Sequence, residues 1–562
     1  MKNLDRRTFL KVGGASLAGL SLSGLSIPII GAKKVSATTS ANAWSFGVMS
    51  DTQWRTGTNG AGGTLSCATS IIDALNQQFI DHNCRFVIQV GDLVDVESVS
   101  GVRTLPTRQA HAKALYDAGI GFFPLRGNHE ASRTAAVEIP TLFPQTLGQG
   151  PNVFGAMDFD SPVLNSTSTD PMGTRLKGLT YCFNYENVRC VLIDQFTRAD
   201  GSNFNASTTN DNAVDQIDWV DAMLASNSAD DHAFVFSHKN LIGQNHKDVL
   251  FGKDLTANAS ARDAFIKSLN EYGVRYCLGG HDHMHHRSIV KSSDGKASVG
   301  QIICSSNSYK FYIPRMGDDG RELPLVQELF SIGYYIFTID GPRVTVDFYS
   351  SSHGSDYGDM DLNYGPAMAF YHRERFGYSL NGSQFNVQRG GSYTGIQGTY
   401  QGTTARILNG QNGNTETDYL SRPLYKTINT GWTGSGSVSG AASKIFSLWG
   451  MMDNLSLYDS SLTGLLPSED ESETTDIYTL SLSYDPKTVR PSQLVSGKFC
   501  LASADDERAW VNAVDLNSGG TKKFVFGAYK SQYGLGTYGV DPKTSTVWAV
   551  LNHEGDFVIK QM

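Results

Sequence analysis

Asp51 and Gln53, in "VMSDTQW" (48–54), stand two positions apart directly after an apolar run, and both carry side-chain oxygens. Asp in that place is ordinarily a turn residue, because its carboxylate bonds nearby backbone N–H groups. Four other stretches change the reading. "RFVIQV" is followed by "GDLVD", with Asp92 and Asp95, and "IGFFPLR" by "GNHE", with Asn128 and His129. "AFVFS" ends at His238 in "SHKN", and "VRYCLG" runs into "GHDHMHH", with His281 and His283. Carboxylates, amide oxygens and imidazoles are the donor set of divalent metal ions. Because each group follows a strand-like run, all are expected to converge on the carboxyl edge of one sheet, where α/β folds place their sites.

The elements that must hold them follow from hydrophobic periodicity. From residue 43 to about 350, the short apolar runs "WSFGVM", "RFVIQV", "IGFFPLR", "RCVLID", "AFVFS" and "VRYCLG" alternate with helix-period segments such as "TSIIDALNQQFIDH", "TRQAHAKALYDA", "VDQIDWVDAMLAS" and "ARDAFIKSLNEY". That alternation predicts a layered α/β domain whose nearly all-apolar strands are covered on both faces. "YYIFTI" and "RVTVDFY", joined by "DGP", predict a closing hairpin. Residues 131–178 are polar and rich in Gly, Pro, Ser and Thr, too long for an ordinary connection, and read as a lid or rim.

The five blocks "DTQ", "GDLVD", "GNHE", "SHKN" and "GHDH", spanning residues 51–283, closely resemble the calcineurin-like metallophosphoesterase family in set and order. The family pattern runs D-x-H, G-D-x-x-D, G-N-H-[DE], a lone His, then G-H-x-H. The resemblance implies a β-sandwich flanked by helices, and two divalent or transition metal ions (Mn, Fe or Zn) about 3.5–4 Å apart. It also implies a hydroxide held between them for in-line attack on phosphorus. By the same resemblance Asp92 bridges the ions. Asp51, Gln53 and His283 complete one position, and Asn128, His238 and His281 the other. His129 is implied near the leaving group, with Asp95 orienting its ring. Gln53 departs from the pattern, since it stands where the family has His; that position should bind more weakly or favour a harder ion. A purple acid phosphatase would carry Tyr in place of Asp95. His285 and His286 have no place in the pattern and read as rim or solvent-facing residues, Asp282 as pointing away from its neighbours, and His246 as an ordinary surface histidine.

The ends of the chain carry different information. "DRRTFLKVGGASLAGLSLSGLSIPIIGA" followed by "VSA" resembles a twin-arginine export signal over residues 1–37, with Arg6, Arg7, Phe9, Leu10 and Lys11 in the pattern. It implies the export machinery as a partner, a periplasmic or extracellular location, and no membrane span in the mature protein, whose sequence has no run of about 18 apolar residues. Taking the six basic residues and one acid of this segment from totals of 46 and 55 leaves 40 against 54, a formal charge of −14. Such a balance argues against binding duplex nucleic acid. Seven cysteines lack any C-x-x-C spacing. Cys182 and Cys190 flank a hairpin and are either a disulfide of an exported protein or two small core residues.

The domain reading is therefore a signal segment (1–37), a metallophosphoesterase domain (43–350), a Gly/Ser/Tyr-rich linker or extension (351–425) and a β-rich domain (426–562). In the last, "DIYTLSLSYD", "AWVNAVDL", "KFVFGAY" and "STVWAVL" between turn signals predict an all-β sandwich or small barrel. Its aromatics Trp510 and Trp548 read as core, with a polymer or cell-surface contact as the other use. The functional expectation is an exported hydrolase of phosphorylated small molecules. Two alternatives stand beside it: phosphodiesterase or nucleotidase specificity, and a cell-surface binding protein with a degenerate metal site.

Overall fold

A computed structural model describes residues 40, 42–54, 63–64, 66–162, 176–198, 211–316, 320–352, 368–413, 415–433, 438–451, 475–505 and 508–562. The export signal assigned to residues 1–37 lies outside them. Val35–Met562 form one compact unit.

The six apolar runs singled out above are all strands: β1 (Trp44–Met49), β2 (Phe86–Gln89), β3 (Gly121–Pro124), β6 (Val188–Ile193), β7 (His232–Ser237) and β8 (Tyr276–Gly279). Between and beyond them lie β4 (Met157–Asp160), β5 (Tyr181–Tyr185), β9 (His285–Lys291), β10 (Ser298–Ile303), β11 (Glu322–Glu328), β12 (Ser331–Asp340), β13 (Arg343–Ser352) and β14 (Tyr371–Ser379). They form two sheets rather than one. The first has the order β14-β13-β12-β1-β2-β3, the second β11-β9-β10-β8-β7-β6-β5-β4. Parallel pairing of β1, β2 and β3 in one sheet, and of β6, β7, β8 and β10 in the other, directs their carboxyl ends to common edges.

Period-two alternation explains the layering. Phe46, Val48, Phe86, Ile88, Phe337 and Ile339 of the first sheet interlock with Phe183, Leu192, Phe234, Phe236, Leu278 and Ile302 of the second. Each such side chain contributes about 1.5–3 kcal/mol on burial. The opposite faces are covered by helices. Ile71, Ile72, Leu75 and Phe79 of α1 (Thr69–Asp81) pack with Val87, Phe122 and Ile336, aided by α2 (Leu105–His111), α3 (Lys113–Asp117) and α4 (Arg133–Leu142). Val220 and Leu224 of α5 (Ile217–Ala225) and Phe265, Ile266 and Leu269 of α6 (Ala259–Glu271) cover Val191, Val235 and Cys277.

Three sequence expectations are revised. Residues 131–178, read as a lid or rim, are not an irregular stretch over their described part: α4 and the edge strand β4 occupy it. Cys182 and Cys190 cannot pair, because Cys182 is opposite Val191 and Cys190 opposite Phe183, so their side chains leave the hairpin on opposite faces. Both are free thiols buried in different cores. The interval 351–425 contributes strands to both halves, β14 to the first sheet and Gln384–Gln388, Gln397–Tyr400 and Thr403–Leu408 to the sheets that follow.

The C-terminal part is a second sandwich of two six-stranded sheets. Ile428, Leu448, Leu501 and Ile559 from one meet Ile407, Leu480, Val540 and Val547 from the other. Trp548 is buried in its sheet and Trp510 is partly covered. Among the described residues no helix is long and apolar enough to cross a membrane.

Candidate functional site

The two sheets each deliver part of the polar set. Asp51 follows β1, Asp92 follows β2, and Asn128 and His129 follow β3; from the facing sheet come His238 after β7 and His281 and His283 after β8. The loops after β1 and β2 are joined by Asp51 N–H to the Gly91 carbonyl (3.2 Å) and Thr52 N–H to the Asp92 carbonyl (2.9 Å). Glu130 of "GNHE" ties the third loop to the second, accepting from Gly127 N–H (2.9 Å) and Val94 N–H (2.8 Å). The glycines that precede the ligands are there for close approach. A Cβ on Gly127 would lie 1.9 Å from Asp92 Oδ1, and one on Gly280 would lie 2.1 Å from Ser50 Oγ.

The polar atoms meet in a buried cluster. One carboxylate oxygen each of Asp51 and Asp92 and one nitrogen of His238 lie within 4.8 Å of one another, a spacing that can hold a metal ion. His238 Nε2 is 3.0 Å from Asn128 Oδ1 and 3.3 Å from Asp92 Oδ1. His283 Nε2 is 3.3 Å from Asp51 Oδ1 and 3.2 Å from Gln53 Nε2, which donates to Asp92 Oδ2 at 2.9 Å. His281 donates its backbone N–H to Asp51 and presents its ring to His238, with centroids 5.1 Å apart. All seven expected metal-ligating residues, Asp51, Gln53, Asp92, Asn128, His238, His281 and His283, are thus brought to one place.

The electrostatics of the cluster suit a cation. Burial, with the Asp92 carboxylate beside it, raises the Asp51 pKa well above the usual range. Burial pushes Asp92 the same way, but the His238, His129, His281 and His283 imidazoles outweigh it and hold Asp92 low. Burial lowers His238 to about 4 and also depresses His281 and His283, which keeps them neutral, the form that ligates. Two buried polar atoms also lack hydrogen-bond partners, Gln53 Oε1 and His281 Nε2, the latter 3.5 Å from Asp248 Oδ2. Turned through 180°, the Gln53 amide places Oε1 beside Asp92 Oδ2 and His283 Nε2, the arrangement a cation would impose. Oxygen and nitrogen donors without thiolate suit Mn, Fe or Zn. The residues present therefore fit a metal centre.

The outer contacts fix which nitrogen of each ring faces inward. His238 Nδ1 donates to the Val90 carbonyl (2.9 Å), and His283 Nδ1 donates to the Lys310 carbonyl (2.9 Å). His129 Nδ1 donates to the main-chain carbonyl of Asp95 (2.5 Å), not to its carboxylate, which lies 3.6 Å away. Asp95 thus orients His129, but through its backbone. Its carboxylate is occupied by Lys310 Nζ (2.9 Å) and the Tyr309 hydroxyl (3.0 Å). Lys310 Nζ also lies 3.1 Å from His129 Nε2.

Other histidines differ from expectation. His285 and His286 are wholly buried, not at the rim. His285 Nε2 donates to buried Glu374 (3.2 Å) while its Nδ1 meets the Tyr335 hydroxyl (2.8 Å), and His286 Nε2 donates to Glu322 (3.0 Å), so carboxylates inside the sheet compensate their burial. His246 is not an ordinary surface residue either: it bonds Asp282 (2.9 Å) and lies 4.1 Å, centroid to centroid, from His281. Asp282 points away from its flanking histidines as expected, accepting from Gln244 N–H (2.7 Å).

Lys310, Tyr309 and Asp248 were not found from sequence. Lys310 and Tyr309 follow β10, "SVGQII", a parallel strand with the same carboxyl edge as β8. Naming that strand would have drawn attention to the loop "CSSNSYK" after it. Asp248, ten residues beyond His238 in a loop without periodicity, offered no such signal.

A family model described as calcineurin-like phosphoesterase matches residues 45–285. No curated protein matches the sequence. Solved structures with likeness include the anchor in the inner membrane complex of Plasmodium (12% identity, 59% of this chain and 88% of that one, TM-score 0.32). A purple acid phosphatase from yellow lupin seeds shows 11% identity over 56% and 52%, with a TM-score of 0.34. A dimetal phosphatase from Danio rerio shows 14% over 54% and 95%, with a TM-score of 0.32. The chain spans about half of the lupin protein. It is the family match, over the same residues that carry the five blocks, that identifies 45–285 as a calcineurin-like phosphoesterase domain and the protein as a phosphate ester hydrolase.

Proposed function

We propose that the protein is an exported, two-metal phosphoesterase acting on phosphorylated small molecules. The observation that carries the metal reading is the buried opposition of Asp51 and Asp92, with His238 inside the same 4.8 Å cluster. Two like charges in a site closed to water repel strongly unless a cation lies between them. Asp51, Gln53, Asp92 and His283 would hold one ion, and Asp92, Asn128, His238 and His281 the other. When bound, such ions supply Lewis acidity at the phosphoryl oxygens and an activated water for in-line displacement.

The chain's own residues do the rest. The neutral rings of His238 and His283 are locked by the carbonyls of Val90 and Lys310, so the ligand nitrogens need no reorganisation. His129 is 22% exposed at its side chain, at the open side of the cluster, with Nε2 3.8 Å from Asp92 Oδ2. As the oxygen–phosphorus bond to the incoming water forms and the bond to the leaving oxygen breaks, that oxygen needs a proton. His129 Nε2 is the atom placed to deliver it, from the imidazolium form; in the neutral ring the same nitrogen accepts from the Lys310 ammonium at 3.1 Å.

The test is elemental analysis of the purified mature protein together with turnover of aryl phosphomonoesters and bis-aryl phosphodiesters in added Mn²⁺, Fe²⁺ or Zn²⁺. Bound transition metal with release of phenol supports the reading. A protein that neither retains metal nor turns over either ester would be a binding protein with a degenerate site. Export has its own test: Arg6→Lys with Arg7→Lys should leave the full-length precursor in the cytoplasm, and normal export would remove the twin-arginine route.

A further inference from the structure

Resting on the phosphoesterase reading, we propose that the Lys310 ammonium contacts the substrate's non-bridging phosphoryl oxygens and biases the site toward phosphomonoester dianions over diesters. The first ground is position. Asp51, Asp92 and His238 are buried, whereas His129 and Lys310 retain 22% and 16% of their side-chain exposure, so both stand between the cluster and solvent, as His246 (29%) does beside His281. The ammonium is one imidazole away from the shared carboxylate: 3.1 Å from His129 Nε2, which is itself 3.8 Å from Asp92 Oδ2.

The second ground is donor capacity. An ammonium carries three N–H donors. Asp95 Oδ1 takes one at 2.9 Å and His129 Nε2 another at 3.1 Å; the third has no acceptor among the described residues. Tyr309 donates to the same Asp95 oxygen (3.0 Å), which holds the carboxylate in place beside the ammonium.

The third ground is preorganisation. Asn307 clamps the loop before Lys310 onto the first ligand block, donating its backbone N–H to the Asp51 carbonyl (3.1 Å) and its side-chain amide to the Ser50 carbonyl (2.9 Å). The Lys310 carbonyl accepts from His283 (2.9 Å), so the residue is anchored to the cluster on its other side. A cation held this way does not pay the ordering entropy of a free surface lysine when an anion arrives.

Charge then selects the substrate class. A phosphomonoester dianion brings three non-bridging oxygens and two charges, a diester two and one. Charge-assisted hydrogen bonds are about twice as strong as neutral ones and grow with the acceptor's charge. The dianion therefore gains more from Lys310 than the diester does.

Lys310→Met and Lys310→Arg decide the matter, measured in the metal-loaded protein on p-nitrophenyl phosphate and bis-p-nitrophenyl phosphate, with calorimetric binding of inorganic phosphate and metal content alongside. Loss of one charged hydrogen bond should lower kcat/KM on the monoester about 10- to 100-fold in Lys310→Met. Phosphate affinity should fall in parallel, the diester should lose clearly less, and metal content should hold. Lys310→Arg should recover most of the phosphate affinity. Equal losses on both esters with unchanged phosphate affinity would reduce Lys310 to a support for His129 and overturn the proposal while leaving the phosphoesterase reading intact, as would a wild type that cleaves the diester alone. A wild type that neither cleaves an ester nor binds phosphate overturns both.

Discussion

The two sandwiches differ at one place in how they bury polar groups, the Asp51 and Asp92 cluster of the first. In the C-terminal one, buried charges are matched: Lys426 Nζ meets Asp476 Oδ2 at 3.1 Å and the Met451 carbonyl at 3.0 Å, and Asp556 receives both Arg343 from β13 (3.0 Å) and the Ser447 hydroxyl. In the N-terminal one, Asp51 and Asp92 confront each other and Gln53 Oε1 has no partner. Left-handed backbone gathers at the same cluster, although turns of both sandwiches also carry it. Asp51, Asp92, His281 and His283 have φ of 49°, 46°, 69° and 52°, each a left-handed conformation costing of order 1–3 kcal/mol in a non-glycine residue. Four of the seven proposed ligands are therefore held where a side chain is not at ease. The C-terminal exceptions with positive φ, such as Gln401, Asn409 and Ser545, lie in turns between strands. Unmatched charge together with strain marks the first sandwich as built around something it must bind. Glu554 is the nearest parallel in the second: burial raises its pKa, with Arg375 and His372 opposing the rise and Asp347 adding to it, but among the described residues it belongs to no group spaced to hold a metal ion.

The sharpest way to break this contrast is Asp92→Asn. Asp92 is the carboxylate both proposed positions share, so its loss should strip metal from both and reduce turnover by about 100-fold or more, since even outer contacts of a metal site are worth 10- to 100-fold. Elemental analysis with kcat reads this directly. Unchanged metal content would remove the bridging role. His129→Ala is the next largest: loss of a positioned proton donor should cost about 10²- to 10⁴-fold in kcat with the metals retained, and less on esters with very acidic leaving groups. A stable, metal-loaded variant with full activity on a poor leaving group would defeat that assignment.

The second sandwich supplies the control. Lys426→Met removes the ammonium from buried Asp476, leaving that carboxylate the Gly413 N–H (2.8 Å) but not its cation, which should destabilise the fold by about 3–5 kcal/mol. Metal content per folded molecule should stay the same. Denaturant unfolding followed by metal analysis distinguishes the cases, and a variant that loses metal before it loses structure would show the two sandwiches to be coupled.

How much of this was legible in the sequence follows from the same contrast. Strand ends that gather polar groups must place one immediately after an apolar run, with glycine before it where backbone and carboxylate approach closely, and that local signature, with the resemblance of the five blocks, is why Asp51, Asp92, Asn128, His238, His281 and His283 could be put forward as ligands. The strands and helices of the first sandwich were legible for the same reason, since alternation and helical period are local. What could not be read is non-local. That the ligands come from two facing sheets, that Cys182 and Cys190 leave their hairpin on opposite faces, and that His285 is paid for by Glu374 from a strand some ninety residues on all depend on partners distant in sequence. Lys310 was missed because its strand was.

The smallest effect tests the residue that departs from the family pattern. Gln53→His should tighten one metal position and leave the other alone. A neutral amide oxygen is a weaker donor than imidazole to borderline ions such as Zn²⁺, so the first position should now be the looser of the two. His283 Nε2 already lies 3.2 Å from the Gln53 amide and 3.3 Å from Asp51 Oδ1, and the side chain at 53 reaches Asp92 Oδ2 at 2.9 Å, so an imidazole there would join a set in place rather than create one. The gain should be on the order of tenfold in affinity, the scale at which single contacts tune such sites. Competition with a chelator resolves it: the wild type should release its ions in two phases, and Gln53→His should slow the fast phase while the slow phase, held by Asn128, His238 and His281, keeps its rate. Gln53→Leu, which removes the oxygen but keeps the bulk, should shift the fast phase the other way. If all three proteins release metal alike, Gln53 is a strut for Asp92 through its N–H and not a ligand, and the asymmetry assigned to the two positions disappears with it.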